Sequence, residues 1–247
     1  MNEEKVALVT GSSRGIGAAT IMEFAKKGYS VVINYVNSEE EAMALKKQVE
    51  EEYHVASLAI KADVSREEEV SNMIEEVIHT FGHIDCLVNN AGIAIDTLFE
   101  DKTVENFRKT LDVNLIGTFL VSKYVGKYML KEKKGSIINI SSTNGIDTVY
   151  PMSLDYDASK AGVISLTRNL AIQYAPYIRV NSVAPGWVLT DMNQELDSEF
   201  IKEECESILE NRFADPSEIA KVVVFLASDD ASYINNEVIR VDGGWKY

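Results

Sequence analysis

Val6-Ala7-Leu8-Val9-Thr10-Gly11-Ser12-Ser13-Arg14-Gly15-Ile16-Gly17 begins as a short apolar run, Val6–Thr10, and passes through a glycine-rich turn, Thr10–Gly17, into a helical pattern at Ile16–Lys27. Glycine permits unusual dihedrals and lets the backbone approach a pyrophosphate closely. The free N–H groups and positive end of the following helix then receive the anion. The spacing is Gly-x-x-x-Gly-x-Gly, not the Gly-x-Gly-x-x-Gly of the general dinucleotide fingerprint. Glycines alone would equally suit a tight turn with close helix packing; their place after a strand and ahead of a helix favours a ligand. Gly11, Ser13, Arg14, Gly15, Ile16 and Gly17 are therefore candidate cofactor contacts.

The same alternation continues along the chain. Further strand candidates are Ser30–Tyr35, Val55–Ala59, Cys86–Asn89, Ser136–Ser141, Arg179–Val183 and Val238–Val241, with helical stretches such as Glu39–Glu52, Arg66–Phe81 and Leu111–Leu130 between them. This pattern predicts an α/β fold: a single Rossmann-type, doubly wound parallel sheet with helices on both faces, in one domain over residues 1–247. Ligands of such sheets collect at the carboxyl ends of the strands, near the topological switch point. Every motif considered below falls just after an expected strand. The Glu clusters at 39–41, 50–52 and 67–69 read as helix starts or solvated faces.

Composition narrows the partners. The chain has 247 residues, 24 Lys and Arg against 39 Asp and Glu, and a formal charge of −15. Nucleic acid and anionic membrane surfaces are poor partners for such a surface. The chain opens Met1-Asn2-Glu3-Glu4-Lys5 and enters a strand at once, so no signal peptide is expected. No uninterrupted apolar run is long enough to span a bilayer, and a cytoplasmic protein is expected. Cys86 and Cys205 are too few for a disulfide framework, and with His54, His79 and His83 they show no metal-ligand spacing. No metal is expected, and zinc-dependent alcohol dehydrogenation is disfavoured. Cys86 reads as a small core residue and the histidines as surface or helix-end residues.

Cofactor choice turns on the end of the second strand, where an acid suits the ribose of NAD and a basic neighbour the extra phosphate of NADP. The chain reads Ile33-Asn34-Tyr35-Val36-Asn37-Ser38, without a carboxylate, while Arg14 lies in the glycine turn. Asn34 and Ser38 are candidate contacts. The run Glu39–Glu41 argues mildly the other way, but NADP(H) is favoured over NAD(H).

Tyr156-x-x-x-Lys160 sets a phenol and an ammonium one helical turn apart. A free phenol titrates near ~10. A neighbouring ammonium, and a positively charged nicotinamide, would lower that value and make the phenol a tunable acid and base. An isolated pair of this kind is often an ordinary surface pair.

With both motifs placed, the chain resembles the short-chain dehydrogenase/reductase family over essentially its whole length, closest to the 3-oxoacyl-[acyl-carrier-protein] reductase-like branch. Thr10–Gly17 looks like the family's cofactor turn, Asp63-Val64 like its adenine-side pair, and Asn89-Asn90-Ala91-Gly92 like the segment that steadies the sheet beside the cofactor. Asn114 matches the helix asparagine, Ser142 the serine after strand five, and Tyr156 with Lys160 the catalytic pair. Pro185-Gly186-Trp187-Val188-Leu189-Thr190 resembles the segment lining the nicotinamide, with Pro185, Gly186, Val188 and Thr190 as contacts; Val241-Asp242-Gly243-Gly244 resembles the closing strand and turn. The resemblance implies that Tyr156 gives the proton, Ser142 holds the carbonyl oxygen, Lys160 binds the cofactor ribose and Asn114 places a relay water. It also implies a homotetramer.

The chain departs from the branch in places. Ser142 and Tyr156 are 14 positions apart, one more than expected, so the loop Asn144–Asp155 over the substrate is altered. Ser141 and Thr143 stay open as alternative hydroxyl donors. Tyr174-Ala175-Pro176-Tyr177 lacks a basic residue expected for an acidic carrier protein, although Lys131, Lys133 and Lys134 form a possible docking patch. Asn235-Asn236 replaces an expected glycine, predicting a less regular turn. Residues 187–212 read either as a substrate lid or as an ordinary surface helix pair, and their place after Pro185-Gly186 favours the lid. Helices Leu111–Leu130 and Ala158–Tyr174 read as a dimer face, with Trp245 and Tyr247 at a second contact. The reaction these features imply is NAD(P)H-dependent reduction of a 3-oxoacyl thioester. Dehydrogenation of a small alcohol, polyol, sugar or hydroxysteroid is the alternative, and a non-catalytic dinucleotide sensor ranks last.

Overall fold

The computed structural model describes residues 4–190 and 196–246. Strands β1 (Val6–Val9), β2 (Ser30–Tyr35), β3 (Ser57–Lys61), β4 (Cys86–Asn89), β5 (Gly135–Ile140), β6 (Ile178–Pro185) and β7 (Val238–Val241) alternate with helices. The helices are α1 (Gly15–Lys26), α2 (Glu39–Tyr53), α3 (Glu67–Phe81), α4 (Val104–Leu111), α5 (Thr118–Glu132), α6 (Leu154–Tyr174), α7 (Ser198–Ser207) and α8 (Pro216–Ala227). All strand pairings are parallel, in the order β3-β2-β1-β4-β5-β6-β7. The expected doubly wound sheet is therefore present, and its order reverses between β1 and β4.

The pleat explains why these runs become strands buried on both sides. Ala7 and Val9 join one core with Phe24 of α1, Leu45 of α2 and Val223 of α8. Val6 and Leu8, pointing the other way, join a second core with Met73 of α3, Val125 of α5 and Leu170 of α6. A continuous apolar run suits a strand with helices on both faces.

Three departures from expectation have local reasons. β3 begins two residues late because His54 closes α2 in a left-handed conformation, φ 56°, and Val55 turns into the core. The stretch 111–130 is not one regular helix: a π-helical turn, Asp112–Gly117, joins α4 to α5. The turn at Asn235-Asn236 is orderly, since Asn236 takes the positive φ (67°) a glycine would take, and Asn235 Oδ1 accepts from Val180 N at 2.8 Å. Asparagine tolerates that conformation better than most residues.

Candidate active site

At the switch point the glycine turn is built by backbone contact. A side chain on Gly11 would place its Cβ 2.8 Å from Ala91 Cα, and one on Gly17 would lie 2.6 Å from Ser12 Cα. Asn90 Nδ2 donates to the carbonyls of Thr10 and Gly11, both at 3.0 Å, and Ser12 Oγ donates to Val9 O at 2.8 Å. Gly15 has φ +57° and lies against Thr190, whose Cγ2 is 3.5 Å from a Cβ built there, so the turn meets the segment after β6. The α1 N-terminus has no side-chain cap and no acid in its first turn, whereas α2 and α3 each begin with three glutamates. Only α1 of these three leaves its amide end and dipole to an external anion. A backbone cradle that a Cβ would fill, beneath an uncapped helix end, fits a dinucleotide pyrophosphate.

Several expected contacts have other duties. Asn34 is buried with both ends of its amide in use: Oδ1 accepts from Gly11 N at 3.0 Å, and Nδ2 donates to Ala62 O at 2.9 Å. It braces the glycine turn, a duty the strand-end position alone does not suggest. Asp63 Oδ1 accepts from Ser65 N and Oγ, at 2.9 and 2.7 Å, and Val64 is buried against Gly117. The side chain of Val188 belongs to the core, and its backbone bridges in parallel to Ala214. Ile16 packs on the same core. The Ser38 hydroxyl makes no capping bond at the start of α2.

The four expected catalytic residues come together beside this turn. The π-helical turn carries Asn114 inward, where Oδ1 accepts from Ile93 N at 2.8 Å and Nδ2 donates to Ile93 O and Ser159 Oγ. A π-turn inserts a residue into a helix and re-aims its neighbours, often at functional sites. Gly92 is the meeting point: a Cβ there would lie 3.4 Å from Asn114 Oδ1 and 3.5 Å from Lys160 Nζ. Lys160, 4% exposed, donates to Ile140 O at 2.8 Å, and its Nζ lies 5.4 Å from the Tyr156 ring centroid. The Ser142 hydroxyl, which accepts from Asn144 N at 3.2 Å, borders the same cleft as the Tyr156 phenol and favours its charged form. Ser141 is excluded as the hydroxyl donor because it donates to Val183 O at 3.1 Å and accepts from Ser182, facing into the sheet. Both Ser142 and Thr143 border the cleft, but Ser142 is the one that acts on the phenol.

Burial dominates the electrostatics of the pair. It pushes Tyr156 up to about 12, against a smaller lowering by the Ser142 hydroxyl, while Asp157 and Asp96 add to the rise. It pushes Lys160 down to about 8. The expected lowering of the phenol by the ammonium is outweighed by burial, and Lys160 is spent on a carbonyl while burial disfavours its charged form. The phenol is held as an acid, suited to giving a proton.

A cleft opens over Ser142 and Tyr156. Its walls come from the loop after β4 (Asp96), the lengthened loop 144–155 (Tyr150), the segment after β6 (Trp187), α7 (Glu204) and the last turn (Trp245). Tyr150 meets Trp187 edge-on at 6.2 Å, Trp187 stacks on Phe213 at 5.4 Å, and Phe200 of α7 closes the cluster. Beneath the wall, Lys102 pairs with Asp155 at 2.8 Å, both side chains buried, and donates to Ile95 O as well, tying the β4 loop to the first turn of α6. Sequence reasoning missed Asp96, Tyr150, Glu204 and this pair, whose only signal was proximity to motif positions. Trp245, expected at a subunit contact, lines the cleft; Tyr247 lies outside the described residues, as do residues 191–195 of the expected lid. The rest of 187–212 is fixed at both ends, Leu189 N donating to Ala214 O at 2.9 Å and Leu209 N to Gly244 O at 2.7 Å. The lysine patch 131–134 sits at the amino end of β5, where Lys134 pairs with Asp85 at 3.0 Å. That is the opposite edge of the sheet from Tyr156 of the same chain, about 20 Å away for a six-residue strand.

A family model described as enoyl-(acyl carrier protein) reductase matches residues 11–246. The 3-oxoacyl-[acyl-carrier-protein] reductase of Staphylococcus epidermidis is 41% identical over 97% of this chain and 98% of its own length. The protein of the same name from Synechocystis is 42% identical over 97% of this chain and 96% of its own length. The chain is a short-chain dehydrogenase/reductase. Levodione reductase, a solved structure of the same architecture, superposes with a TM-score of 0.93 at 36% identity, covering 97% of this chain and 96% of that one. This short-chain dehydrogenase/reductase is accordingly a carbonyl-reducing oxidoreductase that uses a nicotinamide dinucleotide. Among the described residues no group of three or more His, Cys, Asp or Glu side chains is placed to hold a metal ion, and no helix is long and apolar enough to cross a membrane.

Proposed function

We propose that the protein reduces the 3-oxo group of an acyl thioester with NADPH. The observation that carries this reading is the joining of Ser142, Tyr156, Lys160 and Asn114 at the strand ends, between the glycine cradle and the aromatic cleft. A bound nicotinamide dinucleotide supplies the hydride. Ser142 holds the carbonyl oxygen by donating to it as negative charge grows, and Tyr156 gives that oxygen its proton. Lys160 binds the cofactor ribose and Asn114 places the water that returns the proton from solvent. The preference for NADP(H) is supported by Arg14 at the start of α1, the Ser38 hydroxyl and the absence of a carboxylate at the end of β2. A homotetramer is supported by exposed apolar side chains on the expected dimer face, Ile116, Phe119 and Ile172.

The second reading is a small free ketone. It is favoured by the lengthened loop 144–155, which forms one wall of the cleft, and by the likeness to levodione reductase. The test is oxidation of NADPH and of NADH with acetoacetyl-CoA, beside a panel of small ketones. Turnover with NADPH and acetoacetyl-CoA, lost by about 100-fold or more in Tyr156→Phe, is expected; turnover with ketones alone selects the second reading.

A further inference from the structure

The cleft is acidic in a way the reaction does not require. Its lining carries Asp96, Glu204 and Asp242 and no lysine or arginine. Asp242 pairs with Arg240, whose Nη2 lies 3.0 Å away, but shares that guanidinium with Asp147 at 2.8 Å, and it accepts from Gly244 N at 3.0 Å. Asp96 and Glu204 have no ion-pair partner among the described residues. Glu204 Oε2 accepts from Trp187 Nε1 at 2.7 Å, which pins the carboxylate without cancelling its charge. Of the nearby lysines, Lys102 is bound to Asp155, its charge also reaching Asp96, and Lys160 is bound to Ile140 O. The field of Asp96 reaches both Tyr150 and Tyr156, and that of Glu204 reaches Tyr150, each helping to hold a phenol protonated. The remaining walls are the rings of Tyr150, Trp187 and Trp245, and ring faces attract cations.

We propose that this lining is a charge filter, with Asp96 and Glu204 as specificity-determining residues: the cleft takes 3-oxo compounds whose acyl end is uncharged or carries an ammonium group, and turns away the free 3-oxo carboxylate. The inference rests on the reading that the cleft beside Tyr156 receives the substrate. It deepens that reading, because a thioester removes the charge a free acid would bring beside Asp96 and Glu204. A unit charge several ångströms from a partly solvated carboxylate changes binding by about tenfold.

Both tryptophans of the chain, Trp187 and Trp245, line the cleft, so intrinsic fluorescence reads its occupancy without turnover. The experiment titrates the NADP+-loaded protein with acetoacetate, ethyl acetoacetate and acetoacetylcholine, and repeats the series with the Asp96→Asn/Glu204→Gln variant. Acetoacetylcholine is expected to bind at least as tightly as the ethyl ester and acetoacetate at least tenfold more weakly. The cation-to-anion ratio should fall at least tenfold in the variant, and in the unaltered chain it should shrink as salt is raised. An unchanged ratio in the variant, or failure of acetoacetylcholine to outbind acetoacetate, overturns the proposal. Charge-ordered binding without NADPH oxidation on any of the three keeps the filter and sinks the 3-oxoacyl reading. Oxidation with equal binding of all three does the reverse.

Discussion

Around Gly17 the molecule meets itself backbone to backbone, with Ser12 Cα 2.6 Å and Gly11 O 2.7 Å from where a side chain would begin. Around Tyr150 it meets itself ring to ring, at 6.2 Å to Trp187 and 6.1 Å to Phe200. Both regions stand on the carboxyl edge of the same sheet. The first is one contiguous turn, braced by Asn34 and Asn90, and its shape is set by which residues lack a Cβ. The second is assembled from five separated segments by side chains that other residues could replace. A dinucleotide site made of main chain tolerates little change, whereas a substrate wall made of side chains can be re-cut without disturbing it.

The largest test of this difference is Gly17→Ala. The added methyl has backbone atoms at 2.6 and 2.7 Å, so the turn must open. Dinucleotide affinity should fall by more than about 100-fold, with loss of thermal stability as well. Gly15→Ala is the internal control: its φ of +57° is strained for alanine, but its nearest neighbour is Thr190 Cγ2 at 3.5 Å. About 1–2 kcal/mol of stability should be lost there while folding persists. Calorimetric titration with NADPH and thermal melts separate the two. Equal losses would mean that crowding does not set the turn's shape.

Lys160 lies where the two regions meet, and it should reveal a cost of function. Its amine titrates at about 8 in the folded protein against an ordinary 10.5. Between those values the unfolded chain holds a proton that the native chain has released, so this residue's contribution to stability rises with pH across the window. Below pH 8 the full penalty of a buried charge is present, up to about 3 kcal/mol. Lys160→Met removes it but leaves Ile140 O without a donor, which costs about 1 kcal/mol. The variant should therefore be inactive, more stable by about 1–2 kcal/mol at pH 7, and no more stable than the natural chain near pH 10.5. Urea unfolding at the two pH values checks this, and a stability loss at pH 7 would show that the ammonium is well solvated by the fold.

The two regions also differed in how far they could be read from residues alone. The glycine turn was legible because its determinants are local: a strand, three glycines and a helix start lie within twelve positions, Val6 to Gly17. The residues Asn114, Ser142, Tyr156 and Lys160 were legible as motif positions, although the π-turn that aims Asn114 leaves no mark in the apolar pattern of 111–130. The bracing role of Asn34 was not legible, because a polar residue at a strand end looks the same whether its side chain faces a ligand or, as here, the Gly11 amide. The wall was barely legible. Asp96, Tyr150, Glu204 and Trp245 are related only by tertiary structure, and each has an ordinary surface reading in isolation.

The smallest effect should come from Trp187→Phe, which sharpens the contrast between the regions. Phenylalanine keeps a ring to stack on Phe213 and to meet Tyr150, but it has no N–H for Glu204, now bonded at 2.7 Å. Freed from that bond, Glu204 keeps its charge and gains rotamers, so the wall loses definition rather than volume. A charge-assisted hydrogen bond that is partly exposed contributes about 1 kcal/mol. KM for a 3-oxo ester should therefore rise about two- to fivefold, with kcat little altered and the affinity for NADPH unchanged. Steady-state kinetics beside a direct cofactor titration read these separately. A parallel loss of NADPH affinity would mean that the wall and the cradle are one mechanical unit, and that the main-chain site depends on the side-chain wall beside it.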